Sequence, residues 1–532
     1  MKRVEILVSE KLYPLYKDSE SPVLPYETIS LCPECMQNIP ATVKEEDGNV
    51  VMVKKCPEHG EFWDIYWSDV DLFNKASQWF MHGRLDNPRM QTKKGCPQDC
   101  GLCSNHKSHT ALALLDVTNR CNLKCPICFA NANAAGYIVE PSLEEIRKAL
   151  QTVRENSPVP CPAIQFAGGE PTVRKDLPEI IRIAKELGFP HVEVASNGIR
   201  LAKDPSYAAT LVEAGISTVY LQFDGMTPEP YVIARGRDLL PIKMKAIENC
   251  RKGNLNSIVL VPTVVRGVND HQIGDIIQFA IENIDIVRGI VFQPVAFTGR
   301  IEKEKLREQR ITIPDVIRLA GEQLEGKFEK DRDWFPCTTM AFMARMVEYY
   351  TGNPGVEFST SPHCGYATYV FVDEDGEDWH PLGEWMNLNG FLGTIKKITE
   401  NLCAGGRWNR FKARMRAIGL LRFVKKRGLL RKLIGGILKH GDYSALRDYS
   451  QRSLLISSMH FMDPYNFDIN RCSRCCIHYT VFLRDEGVVK IVPFCTMNSI
   501  HREAIEKRNS VTVQEWLKSK KKKEEAEIMA VA

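Results

Sequence analysis

No apolar run in this 532-residue sequence approaches the ~18 residues that a bilayer-spanning helix needs. The opening MKRVEILVSEKLYP also lacks an apolar core of signal-peptide length. A cytoplasmic location, or one peripheral to a membrane, is therefore the expectation. Charge of one sign is not in excess: 70 Lys and Arg face 66 Asp and Glu, a net of only +4. The chain as a whole does not advertise a nucleic-acid partner, and any electrostatic partner must be met by local patches. There is no fixed-period internal repeat, which argues against a solenoid.

Cysteine, by contrast, is plentiful. The 18 cysteines fall in short CxxC-type clusters, a pattern that favours metal ligation over disulfides in a chain without an export signal. Three zones are expected. Residues 1–110 carry two cysteine clusters among Pro, Gly and polar residues, a small metal-stapled module. Residues 111–300 alternate apolar runs with helical patterns, and residues 301–532 mix helices with further cysteines. ALALLDVT (111–118), AIQFAGGE (163–170), HVEVASNG (191–198), TVYLQFDG (218–225), SIVLVPTVV (257–265) and GIVFQPVA (289–296) read as buried strands. Six βα units of this kind predict an α/β fold, a parallel sheet closed or partly closed as a (βα)6 barrel of the TIM type. Its function should sit at the C-terminal strand ends, where Gly168, Gly169, Glu170, Ser196, Asn197, Asp224 and Gln293 end the apolar runs.

The first strand runs into TNRCNLKCPICFA. Cys121, Cys125 and Cys128 can bind three irons of a [4Fe–4S] cube and leave the fourth open. An electron-transfer cluster or a structural zinc site would use four ligands instead. This CxxxCxxC spacing after a strand resembles the radical S-adenosylmethionine (SAM) superfamily. The resemblance implies that the open iron chelates SAM, whose reductive cleavage yields a 5′-deoxyadenosyl radical. It further implies that Gly168, Gly169 and Glu170 of GGEP meet the SAM amino group, and that Ser196 and Asn197 contact its ribose or carboxylate. Capping of a strand–helix loop is the competing role for Ser196 and Asn197. Asp224 serves either SAM or substrate.

The remaining cysteines can be counted. Cys32 and Cys35 in CPEC, with Cys56 in CPEH, look like one and a half rubredoxin knuckles holding a mononuclear iron or zinc. The fourth ligand is either His59 or a cysteine from the next cluster. Cys96, Cys100 and Cys103, together with Cys337, Cys364, Cys472, Cys475, Cys476 and Cys495, suffice for two auxiliary [4Fe–4S] clusters, the last six forming a C-terminal iron–sulfur domain. Adjacent Cys475 and Cys476 are expected to face different clusters. Cys161, Cys250 and Cys403 read as plain buried thiols.

From Arg407 to His440 there are twelve Lys or Arg and no acidic residue. Leu429, Leu430, Leu433, Ile434, Ile437 and Leu438 recur there at helical spacing, after an earlier stripe of Trp408, Phe411 and Met415. Such amphipathic helices suit an anionic membrane surface, although a solvated basic face would look the same. With GCPQDCGLCSNHKSHT, LQFDGMTPEPYVIARGRDLLPIKMKAIENCR, QPVAFTGR, MHFMDPYNFDINRCSRCCIHYT and VPFCTMN, the chain resembles the radical SAM tetraether lipid synthases, archaeal enzymes that couple lipid chains by a C–C bond. That resemblance implies hydrogen abstraction from an ether phospholipid at the membrane surface, a reduced ferredoxin-like electron donor, and head-group contact by Arg235 and Arg237. The alternatives are a mid-chain lipid-bridging synthase, or a cobalamin-independent radical SAM methyltransferase acting on a pterin-like substrate.

Replacing Cys121, Cys125 and Cys128 with Ala is expected to reduce SAM cleavage to background in the reconstituted, chemically reduced protein, read as 5′-deoxyadenosine by chromatography. Persistent cleavage would place the core site elsewhere.

Overall fold

The computed structural model describes residues 21–133, 136–373, 376, 378–425 and 452–519. Near the N-terminus, β1 (Tyr26–Leu31), β2 (Asn38–Glu46), β3 (Asn49–Cys56) and β4 (Gly60–Trp67) form an antiparallel meander. The two tight turns β1–β2 and β3–β4 are the CPEC and CPEH knuckles, and the register closes the second one at Cys56 opposite Gly60.

Six of the apolar runs form strands in the expected places: β5 (Leu112–Thr118), β6 (Ala163–Gly168), β7 (His191–Ser196), β8 (Thr218–Gln222), β9 (Ile258–Val261) and β10 (Val287–Pro294). They pair in parallel and in chain order. Parallel neighbours need long crossovers, and amphipathic helices supply them. In the first, Leu143–Arg154, Ser142 and Glu145 form a reciprocal capping box, and Ile146, Ala149, Leu150 and Val153 turn inward at helical spacing. The result is an α/β partial barrel whose interior strands are covered outside by helices.

Chain from beyond residue 300 completes this sheet on both sides. Strand β12 (Ser453–Met459) lies parallel to β10, with β11 (Gly365–Val372) antiparallel outside it. Strand β13 (Ile477–Leu483) lies parallel to β5, with β14 (Val488–Pro493) beyond. The last turns of the chain thereby flank the strand that leads into the core cysteine loop.

Buried charge joins the parts. Arg310 is 1% exposed and grips Asp64 of β4 (2.5 Å) and Asp463 of the C-terminal region (2.7 Å). Asp468 accepts hydroxyl hydrogen bonds from Tyr26 (3.1 Å), Thr28 (2.7 Å) and Tyr66 (3.0 Å), and Lys54 donates to the Pro464 carbonyl (2.6 Å). The N-terminal meander is thus anchored by polar contacts to residues some four hundred positions away.

The acid-free segment is helical over Arg407–Ile418, where Trp408, Phe411 and Met415 are exposed. Leu429, Leu430, Leu433, Ile434, Ile437 and Leu438 lie outside the described residues. Among the described residues no helix is long and apolar enough to cross a membrane.

Arg310→Met strands two buried carboxylates, which should cost about 3–5 kcal/mol. A lowered midpoint in denaturant unfolding checks this. Adding Asp64→Asn and Asp463→Asn should recover much of the loss, since the desolvated charges then go too.

Candidate functional site

The loop after β5 has no strand or helix to satisfy its backbone, so distant side chains do so. Asn133 accepts from the Cys121 N–H (3.1 Å) and donates to the Cys121 and Leu123 carbonyls (2.5 and 3.0 Å). Arg300 donates to the carbonyls of Cys125 (2.7 Å) and Ala132 (2.5 Å), while its own backbone pairs with Cys128 in both directions at 2.9 Å. Gly299 lies so close to the Cys128 and Phe129 carbonyls that a β-carbon would collide with them. Arg235 donates to the Ile127 carbonyl at 2.9 Å. Cys121, Cys125 and Cys128 are half-buried and all line one cavity. Burial pushes the Cys121 thiol up to about 12, and Cys125 is raised by the same cause. Thiolates there need a cation, which is the chemistry of a metal-binding donor set.

The second strand end packs directly beneath. Gly169 and Glu170 donate backbone hydrogen bonds to the Thr118 and Arg120 carbonyls (2.7 and 2.8 Å), and a β-carbon on Gly169 would strike the Arg120 oxygen. Glu170 is fully buried. Its carboxylate accepts from Ser196 Oγ (2.9 Å), the Asn197 N–H (2.7 Å) and both Thr172 donors. Burial raises its pKa although these donors pull the other way. Asn197 in turn donates to the Asn122 side chain at 2.6 Å, beside Cys121. Glu170, Ser196 and Asn197 are therefore one network that fixes the strand ends to the cysteine loop.

Asp224 and Arg235 form a buried bidentate pair (2.7 and 2.8 Å), closed by Thr263, whose N–H donates to Asp224 (3.2 Å) and whose hydroxyl accepts from Arg235 (2.9 Å). Lys243 is also buried and donates to the Asn197 carbonyl (2.6 Å) and Gln222 Oε1 (2.7 Å); burial drives its pKa down to about 7. Sequence reasoning missed Lys243, Asn133 and Arg300. The available signal was a lysine on the buried side of the helix Leu240–Lys252 and the polar ends of FANAN and QPVAFTGR.

The cavity has a volume of about 1680 Å³ including its open mouth. Gly168, Gly169, Glu170, Ser196 and Asn197 border it on one side. Phe461, Tyr479 and Phe494 stack on the other, beside Cys495.

The other cysteines sort into groups. Cys32, Cys35, Cys56 and His59 place their ligand atoms within 4.8 Å of one another, with His59 Nδ1 3.7 Å from Cys32 and 3.5 Å from Cys56. His59 therefore supplies the fourth position that the spacing left open, and these four could hold a tetrahedral ion. Cys96 and Cys100 meet Cys472 at 4.0 and 3.7 Å; Cys103 stands outside that close group. Cys337, Cys475, Cys476 and Cys495 all lie near enough to Cys364 for its charge to bear on them. Within the CSRCC motif, Cys472 is the residue that faces the first group.

Residues 115–280 match the radical SAM superfamily model, and residues 24–68 match the HMPTM N-terminal zinc ribbon domain. The 7,8-dihydro-6-hydroxymethylpterin dimethyltransferase of Methanocaldococcus jannaschii is 48% identical over 92% of this chain and 96% of its own. A probable GTP 3′,8-cyclase of Methanothermobacter thermautotrophicus is 29% identical over 49% of this chain and 81% of its own. Among solved structures, Streptococcus suis SuiB aligns over 41% of this chain and 46% of its own with 19% identity and a TM-score of 0.33. The protein is a radical SAM enzyme, and that family implies SAM and a [4Fe–4S] cluster.

These likenesses correct the lipid expectation. The relative matched along almost the whole chain is named for a pterin, so the assignment to tetraether lipid synthases, the coupling of lipid chains, and the ether phospholipid and membrane-surface partners are overturned. The geometry agrees at Arg235: its guanidinium is committed to Asp224, Thr263 and the Ile127 carbonyl, not turned to a head group.

One equivalent of zinc is expected on the ribbon. His59→Ala should lower zinc content, measured by elemental analysis, while leaving cluster iron in place; unchanged zinc would assign the fourth ligand elsewhere.

Proposed function

Because the chain belongs to the family of the Methanocaldococcus jannaschii 7,8-dihydro-6-hydroxymethylpterin dimethyltransferase, we propose that it methylates a 7,8-dihydropterin by radical SAM chemistry. The observation that carries this reading is the continuity of that likeness from the zinc ribbon through the core and into the C-terminal cysteines. The cavity is consistent with it, since it joins the three core thiols to the aromatic wall of Phe461, Tyr479 and Phe494.

In this reading Cys121, Cys125 and Cys128 bind three irons and leave one for SAM. When bound, cluster and SAM would supply a 5′-deoxyadenosyl radical able to take a hydrogen atom from an sp3 carbon of the pterin. The chain's own residues do the rest. Asn133, Arg235 and Arg300 hold the cysteine loop by its carbonyls, so the thiol positions are set before the cofactor arrives. The backbone at Gly168 and Gly169 and the Glu170–Ser196–Asn197 network form the SAM-facing wall. Asp224 acts through Arg235 as a brace. The apolar wall of Phe461, Tyr479 and Phe494 excludes water and presents aromatic faces against which a flat ring can stack. Cys96, Cys100 and Cys472 form one auxiliary cluster site. The thiols around Cys364 form a second, which reaches the cavity at Cys495. The ribbon, held by its own ion, is structural.

Anaerobic reconstitution followed by incubation with reductant, SAM, 6-hydroxymethyl-7,8-dihydropterin and a small-molecule extract of the source organism as methyl pool tests the proposal. Mass spectrometry should show the pterin heavier by one and then two CH2 units. SAM consumption with the pterin unchanged would overturn it.

A further inference from the structure

The floor of the barrel is polar where apolar packing is the norm. Interiors of parallel barrels are filled mainly by branched apolar side chains. Here Gln165 of β6, Glu193 of β7, Tyr220 of β8 and Gln293 at the end of β10 turn polar groups inward on four strands. Gln165 Nε2 donates to Glu193 Oε1 at 2.7 Å, and Gln293 Nε2 donates to the Tyr220 hydroxyl at 3.0 Å. Gln165, Tyr220 and Gln293 line the cavity. Each pair is left half-satisfied. Among the described residues no donor reaches Gln165 Oε1 or Gln293 Oε1, and no acceptor takes the Tyr220 hydroxyl hydrogen. These residues face the cavity, so a ligand seated there can meet their free polar atoms.

That complement is specific. Two carbonyl oxygens and one hydroxyl hydrogen match an edge that carries N–H donors beside a carbonyl acceptor. Resting on the pterin reading above, we propose that this floor binds the aminopyrimidinone edge of the substrate. Gln165 and Gln293 accept from its amino and ring N–H groups, and Tyr220 donates to its carbonyl. Gln165 lies below Gly168 along β6, whereas Gln293 stands near the end of β10 opposite Thr263, so the two amides meet the ring edge from different heights. The floor's own carboxylate, Glu193, is taken up by Gln165 (2.7 Å) and His191 (3.3 Å), and those of the wall, Glu170 and Asp224, by Thr172, Ser196 and Asn197 and by Arg235.

The test uses reconstituted holoenzyme, with 7,8-dihydropterin binding followed by pterin fluorescence and turnover by product mass. A second ligand, the 2-oxo analogue (dihydrolumazine), replaces the amine with a carbonyl. Wild type should bind the dihydropterin more tightly than the analogue. Gln293→Leu should raise the KM and Kd for the dihydropterin by roughly 10-fold or more, leave the KM for SAM unchanged, and narrow the preference over the analogue. Gln293→Glu, which keeps acceptor oxygens at the same place, should restore dihydropterin binding. Unaltered pterin affinity in Gln293→Leu, or an equal loss for SAM, overturns the floor assignment while the pterin reading stands. If wild type neither binds nor methylates the pterin, the functional reading fails and the floor assignment falls with it.

Discussion

A loop that presents three thiols to a cavity cannot also fold back into a strand or helix, and its backbone must be satisfied from outside. Arg235, Arg300 and Asn133 meet that demand, with guanidinium groups and an amide capping the carbonyls of residues 121–132. Each of these side chains is held in turn. Arg235 depends on Asp224, whose other donors come from the ends of β8 and from Thr263. The strand ends of the barrel are consequently not a set of independent contacts. Shifting one changes the pose of the thiols, and through Asn197 and Asn122 it changes the wall beside them.

The same economy of polar contacts joins the modules. The N-terminal ribbon packs Val43, Val50, Met52, Tyr66 and Trp67 into the main hydrophobic core, and Arg310, Lys54 and Asp468 tie it further to the C-terminal cysteine region. The knuckles at its far end could hold an ion that ties its two hairpins together, while apolar packing and ion pairs keep it placed.

What could be read in the sequence was local. The CxxxCxxC loop, the six strands and GGEP each declare themselves within a few residues, because strand patterning and metal spacing are short-range. The fourth ribbon ligand could not be read, since both a histidine three residues on and a later thiol fitted the spacing; the hairpin register brings His59 to Cys32 and Cys56. Cys472 could not be assigned either, because its partners Cys96 and Cys100 stand more than 370 positions earlier. Arg300 is 175 positions from the carbonyl it caps, and nothing in its neighbours announces that role. The substrate was least legible. The CxxxCxxC spacing says only that a radical is made, whereas the cavity is shaped by inward-facing side chains such as Gln165 and Tyr220, whose neighbours exist only once the barrel has formed.

The barrel sheet is completed at one edge by β12 and at the other by β13, both drawn from the last hundred residues of the sequence given. A growing chain leaving the ribosome therefore carries its radical-forming loop for most of its synthesis with both flanks of the sheet bare. Cys96 and Cys100 differ from the core triad in this respect: their thiol partner, Cys472, lies between those two flanking strands. The site they share with it exists only in a chain whose sheet is closed on both sides.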